Sequence, residues 1–403
     1  MNNSKITMLK GADRIRKRPA VIFSSDGVEG AQEAVQNLLH IFAREALLGF
    51  CKHLSVKQAG ELLEISGDDR GIYLGQDTGD DTVWQSIFSS ALPLPRYSPD
   101  DSGCSLALLD DNHASLYGEK LPPDATVSQS EPCYLELYAL QCVCARMDVR
   151  VNRNGIQSKL HFECGNNIGG IRNQQTEEPN GSCFQFTLDR EVFSETLIPE
   201  SYFLKMLEIF AFHAPGLKCT YENPLGKTAS FCYPNGISDY VQSGASSIPV
   251  FRGQLEAKGR NRYNRAEYKA YVDIAIGYTP EAGGLRCYHN FRELTYGGTH
   301  AAELQKQLCQ ALNHCYCPYI PGEETANRPQ DLTFDEISRH ITCVIISRCP
   351  SGCSMWKNGT RLSIENPMIT DMTHDIMVPE FQTYIYHHKE EYRELIRRIL
   401  AVR

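Results

Sequence analysis

Between residues 30 and 52 the apolar side chains fall at Ala34, Val35, Leu38, Leu39, Phe42, Ala46 and Leu47. This helical spacing gives one continuous apolar face. Gly49 is a fitting terminator for that helix. The chain then reaches residues 63–74, where Ile65 is apolar, Gly67-Asp68-Asp69 signals a turn and Gly71-Ile72 resumes. A long amphipathic helix leading into a strand and an acidic turn is the segment around which the rest of the chain is organised.

At 403 residues the chain has room for two or more domains. With 42% hydrophobic and 22% charged residues it reads as an ordinary soluble globular protein. A net charge of -9 argues against a uniformly basic nucleic-acid coat but allows a local basic patch. No apolar run reaches membrane-spanning length and no signal peptide opens the chain, so a cytoplasmic protein is expected. The 16 cysteines are scattered, without paired CxxC motifs. Cys142-x-Cys144 and Cys315-x-Cys317 have the wrong spacing for a zinc knuckle, and the thiols are expected to be small buried hydrophobes.

Further along, residues 75–130 are rich in Asp, Ser, Gly and Pro and read as a long connection around a possible strand at 105–109. A helix is expected at 137–146, then a hairpin over 147–163 turning at Asn154-Gly155. Asn180-Gly181-Ser182 precedes a strand at 183–188, and 201–212 is an amphipathic helix. A second domain is expected to start near Cys219, with strands at 268–278 and 341–347. Helices are expected at 301–313 and 384–403.

The segments ITMLKGADRIRKRPAVIF, AREALLGFCKHLSV and LEISGDDRGIYLG, with Gly297-Gly298-Thr299-His300 after Asn290, resemble the N-terminal ATPase and transducer regions of type IIA topoisomerase B subunits. Phe231–Ile237, reading FCYPNGI, resembles the start of that transducer. The resemblance implies an α+β architecture. A GHKL-type (Bergerat) ATPase-like sandwich would span residues 1–218, and a ribosomal-protein-S5-like transducer domain would span 219–403. It covers only the ATPase–transducer half of such a protein, without the metal-binding Toprim domain, so the chain alone is not expected to change DNA topology. The leader before Ile6 is short where the family has a dimer-crossing arm, which argues against an arm-swapped dimer. The basic run Lys10, Arg14, Arg16, Lys17 and Arg18 reads as a solvated helix end with Pro19 as its stop.

The resemblance also assigns site positions. The glutamate that activates water in the family is Asn37 here, and an amide cannot accept that proton. The asparagine that holds Mg²⁺ is Ile41, which offers no ligand atom. The histidine that orients the base is Glu33, on the same helix face as Asn37. Glu45 and Arg70 match a carboxylate and an arginine that pair in the family. The aspartate that binds the adenine amino group falls on Gly67. Asp68 and Asp69 are adjacent, but one step along a strand reverses the side-chain direction unless a bulge intervenes. Gly71 keeps the family glycine, and Ser182 keeps the hydroxyl of an adenine-contacting Thr-Gly-Thr. The phosphate-binding glycine turn is replaced by Glu131-Pro132-Cys133-Tyr134-Leu135-Glu136, with no glycine and two carboxylates. In Ser354-Met355-Trp356-Lys357, Lys357 retains the family lysine that reaches the γ-phosphate, and Met355 replaces the glutamine.

Arg252, Lys258, Arg260, Arg262, Arg265 and Lys269, with Tyr263 and Tyr268 between them, form the most basic stretch of the second half, a candidate DNA contact. The resemblance implies ATP and Mg²⁺. Four departures at one site, Asn37, Ile41, Gly67 and the glycine-free segment 131–136, point instead to a non-hydrolysing relative acting through a gyrase- or topoisomerase-type subunit, DNA or a second copy of itself. An active ATPase component of a multi-chain topoisomerase, and a structural module with a repurposed pocket, remain the alternatives.

Overall fold

The structure is a computed structural model and describes residues 11–76, 79, 81–88, 133–242, 249–260, 267–279, 283–316, 331–350, 353–359 and 361–401. The chain divides into two compact units at Pro234/Asn235.

The first unit opens with short helices α1 (Ala12–Arg16) and α2 (Pro19–Phe23) and the long helix α3 (Val28–Leu47). Strands β1 (His53–Ala59) and β2 (Leu62–Gly67) follow, then helices α4 (Asp81–Phe88) and α5 (Cys133–Cys142). Next come β3 (Cys144–Arg153), β4 (Ile156–Glu163), β5 (Asn166–Asn167), β6 (Arg172–Gln175) and β7 (Gly181–Leu188). Helix α6 (Glu200–His213) and strands β8 (Lys218–Glu222) and β9 (Thr228–Phe231) complete it. Among the described residues nine strands form one sheet in the order β5-β4-β3-β7-β2-β1-β8-β9, with β6 paired to β4. Alternation along the strands sends Leu63 and Ile65 of β2, and Ser182, Phe184, Phe186 and Leu188 of β7, to the buried face. The apolar face of α3 is buried with them through Ala34, Val35, Leu38, Leu39 and Phe42. Asn154 and Gly155 both have positive φ, 50° and 78°, as the two-residue turn between β3 and β4 requires.

The second unit holds α7 (Ile237–Gln242), β10 (Phe251–Arg260), β11 (Glu267–Tyr278), β12 (Gly284–His289) and β13 (Arg292–Glu293). It continues with α8 (Thr299–Tyr316), α9 (Phe334–Ser338), β14 (Ile341–Arg348) and α10 (Pro367–Ile376). A π-helical turn at Met377–Phe381 leads into α11 (Gln382–His387) and α12 (Lys389–Ala401). Its five described strands are ordered β10-β11-β14-β12-β13. The core joins Val272, Ile274, Cys343 and Ile345 of the sheet to Leu304 and Leu308 of α8, Ile369 and Ile376 of α10, and Leu395 and Ile396 of α12.

Several local expectations change. The boundary expected at 218/219 lies beyond β9, because β8 pairs with β1 in parallel and β9 pairs with β8, extending the first sheet. The helix expected at 137–146 ends at Cys142, and Cys144–Arg153 is strand. Pro19 begins a helix instead of stopping one, its missing N–H being dispensable there. Arg16 is not solvated: it donates to the Cys142 carbonyl at 3.0 Å and to Asp189 at 2.5 Å. The C-terminal helix is broken at His388 into α11 and α12. The strand expected at 105–109 lies outside the described residues.

Candidate functional site

Helix α3 carries Glu33, Asn37, Ile41 and Glu45 four residues apart, so they line one face. Glu33 and Asn37 are half-buried, whereas Ile41 and Glu45 are each 2% exposed. Glu45 is stabilised there by Arg70, whose Nε and one terminal nitrogen donate to the two carboxylate oxygens at 2.9 Å each. This bidentate pair ties the end of α3 to the loop after β2. The Arg70 guanidinium also lies 4.0 Å from the centre of the Phe50 ring. Gly71 follows with φ of 76°, and a Cβ there would stand 2.3 Å from the Asn152 carbonyl oxygen. The Gly71 carbonyl accepts from Arg153 at 2.8 Å, so β3 holds this turn closely.

The three positions Gly67, Asp68 and Asp69 separate completely. Gly67 pairs with Ser182 across β2 and β7 and faces α3, with the same side-chain direction as Ile65. A Cβ on Gly67 would meet Phe42 Cδ1 at 2.4 Å and Cε1 at 2.8 Å. Phe42 is fully buried, and its ring meets Phe184 edge-on with centroids 6.2 Å apart. Asp68 points to the other face. It accepts from the Lys52 and His53 backbone N–H groups at 2.7 Å each and meets His53 Nδ1 at 2.8 Å. Partial burial raises the Asp68 pKa, but these hydrogen bonds, led by His53, outweigh it and hold the carboxyl below its ordinary value. Asp69 returns to the buried face, 1% exposed, and accepts from the Ser182 hydroxyl at 2.9 Å. That hydroxyl in turn accepts from the Ile72 N–H at 3.2 Å. Of the two adjacent acids, Asp69 is the one that turns to the buried face beside Ser182: the chain leaves the strand after Gly67, so simple alternation no longer applies.

These residues do not fit ATP and Mg²⁺ as the resemblance assigns them. The position that the resemblance aligns with the adenine-binding carboxylate is a glycine backed by a phenylalanine ring, with buried Asp69 two residues on beside Ser182, and the position aligned with the magnesium ligand is a buried isoleucine. Glu131 and Pro132 lie outside the described residues, and Cys133 opens α5.

Lys357 belongs to the second unit. Its side chain is 60% exposed, its ammonium lies 3.5 Å from Glu365, and its backbone N–H donates to the Ser363 carbonyl. On β10 and β11, Arg252 is bound to buried Asp273 by two hydrogen bonds, at 3.2 and 2.9 Å, and Lys269 pairs with Glu256 at 2.9 Å. Both charges are locally neutralised. Lys258 and Arg260 are exposed at the end of β10, whereas Arg262 and Arg265 lie outside the described residues. The described residues hold no three-residue group of His, Cys, Asp or Glu suited to a metal and no helix apolar enough to cross a membrane.

A sequence profile of the family DNA gyrase B matches residues 236–403. The DNA gyrase B protein of Streptococcus pyogenes serotype M1 is 23% identical over 415 aligned residues, covering 99% of this chain and 57% of that protein. The DNA gyrase B protein of Treponema denticola is 20% identical, covering 99% and 59%. The chain thus spans a little over half the length of these relatives. Among solved structures, the 43K ATPase domain of Thermus thermophilus gyrase B, in complex with an aminocoumarin, superposes with a TM-score of 0.68 at 18% identity. It covers 98% of this chain and 95% of that one. The topoisomerase IV ATP-binding domain of Francisella tularensis superposes with a TM-score of 0.64 at 14% identity, covering 97% and 96%. The fold is that of the gyrase B and topoisomerase IV ATPase regions, a GHKL-type α+β fold.

Proposed function

We propose that this gyrase-B-like chain is a non-hydrolysing cytoplasmic module that acts by contact with a topoisomerase-type subunit or DNA. The observation that carries the proposal is the Phe42 ring behind Gly67. At the position that the resemblance gives to the adenine-binding carboxylate, the close Phe42 ring leaves no room for a side chain on residue 67. Ile41 and Asn37 support the same conclusion, since Ile41 offers no ligand atom to a hard cation and the Asn37 amide cannot accept a proton from water. What the fold keeps is its frame: the Glu45–Arg70 pair still fastens α3 to the turn after β2. Co-purification of the tagged chain with the gyrase- and topoisomerase-type proteins of its own cell tests the partner half. Specific recovery of such a protein is expected, and recovery of none, with no DNA retention, contradicts it.

Within that proposal DNA is the second contact, through exposed Lys258 and Arg260. Such binding would weaken steeply with salt and carry no sequence preference. One observation favours the active-ATPase alternative: buried Asp69 beside Ser182 sets a carboxylate next to the retained hydroxyl. ATP turnover abolished by Asp69→Asn would establish that alternative.

A further inference from the structure

The segment carrying Lys357 is gripped from one side by the end of β12. Asn290, with φ of 47°, donates through its amide nitrogen to the Cys349 carbonyl at 2.7 Å and accepts from the Cys349 N–H at 3.1 Å. The preceding residue, His289, is fully buried. Its Nδ1 lies 2.9 Å from Ser347 Oγ and its Nε2 lies 2.8 Å from Ser354 Oγ. Cys349 Sγ stands 3.9 Å from Nε2 and 3.7 Å from Ser354 Oγ. Trp356 packs edge-on against the imidazole, with centroids 5.2 Å apart.

Proton counting orients this chain. A hydroxyl has one proton to donate. The Ser347 hydroxyl donates to the Tyr288 carbonyl at 3.2 Å, so toward His289 it can only accept. Nδ1 therefore carries the ring hydrogen, Nε2 presents its lone pair, and the Ser354 hydroxyl donates to it. We infer that His289 is a positioning residue, fixed in the Nδ1-protonated tautomer, that clamps Ser354 and so holds the Lys357 segment in one conformation without a ligand. Two backbone bonds complete the clamp: Lys357 N–H to Ser363 O at 3.0 Å and Glu365 N–H to Met355 O at 2.7 Å. Burial, reinforced by neighbouring His300, lowers the His289 pKa to about 3, so the imidazole is a poor proton acceptor. The pair holds Ser354 in place instead of activating it as a nucleophile. The clamp is independent of whether the first unit takes nucleotide.

Imidazole nitrogen spectra of ¹⁵N-labelled protein read the tautomer directly. The expected pattern has a protonated Nδ1 and a bare Nε2; an Nε2-protonated ring overturns the inference. Amide exchange reads the clamp. Ser354→Ala is expected to speed exchange at Lys357 and Glu365 by about 10-fold or more while Val344 and Ile345 stay unchanged. Ser354→Thr, which restores a hydroxyl, is expected to bring the rates back. Unchanged exchange in Ser354→Ala overturns the clamp, as does a rise spread equally over Val344 and Ile345, which would mark general destabilisation.

Discussion

The ring of Phe42 occupies the space into which a side chain at residue 67 would project, 2.4 Å from where its Cβ would lie. Helix and strand are thereby fitted to each other at the point where the resemblance places a nucleotide base. Gly67→Asp alone should be unable to recreate a carboxylate there. It should destabilise the first unit by about 1–3 kcal/mol, as overpacking does in cores. Adding Phe42→Ala should recover part of that loss, since the ring is the obstacle. Urea denaturation of the two single variants and the double variant checks this; additive losses would show that the two residues do not compete for space.

The Glu45–Arg70 pair is nearly dry, with side chains 3% and 13% exposed. Removing one partner takes the counter-charge from a largely buried ion. Glu45→Gln or Arg70→Met should each cost about 3–5 kcal/mol, and the double variant clearly less than the sum. Thermal or urea melts of the cycle measure the coupling, and a coupling near zero would contradict it.

Acid should loosen the first unit through Asp189. Its partial burial raises the pKa, but the hydrogen bond from Arg16 and the backbone bond from Glu191 outweigh that and hold it below the ordinary 3.8. A depressed folded-state pKa adds stability that is full above the unfolded value and lost as pH falls through the folded one. Stability should therefore drop below about pH 4, and Asp189→Asn should remove part of that drop while lowering stability at neutral pH. Denaturant midpoints from pH 3 to 7 check both.

The second unit should weaken at milder acidity. His289 and His300 are both 0% exposed, and burial lowers their pKa values to about 3 and about 4. Neither ring nitrogen of His300 has a hydrogen-bond partner among the described residues. The unfolded chain takes up protons near 6.5 while the folded one refuses them. Stability should fall as pH drops below 6.5, by up to about 1.4 kcal/mol per pH unit for each ring. His300→Phe should remove one such contribution and flatten the slope; an unchanged slope would contradict this assignment.

The frame was largely legible in the sequence because periodicity reports which face is buried. α3, the Asn154-Gly155 hairpin and β14 all follow from it. Two kinds of feature escaped. Fates set by leaving a strand could not be read from alternation, so the separate roles of Asp68 and Asp69 emerge only once the turn at Gly71 is seen against Asn152. Partners distant in sequence also escaped: nothing near Arg252 announces Asp273, and nothing near His289 announces Ser354. Phe42 itself was visible as an apolar residue on α3, but its close packing depends on the glycine that faces it from another element.

The most direct measurement is calorimetric titration of the purified chain with a nonhydrolysable ATP analogue, with and without Mg²⁺. The proposed non-hydrolysing reading, with no room for a side chain at Gly67 beside Phe42 and no cation ligand at Ile41, predicts no binding heat at millimolar ligand in either condition. Magnesium-dependent binding at micromolar concentration would contradict that prediction and give Asp69 and Ser182 the role of a working adenine site.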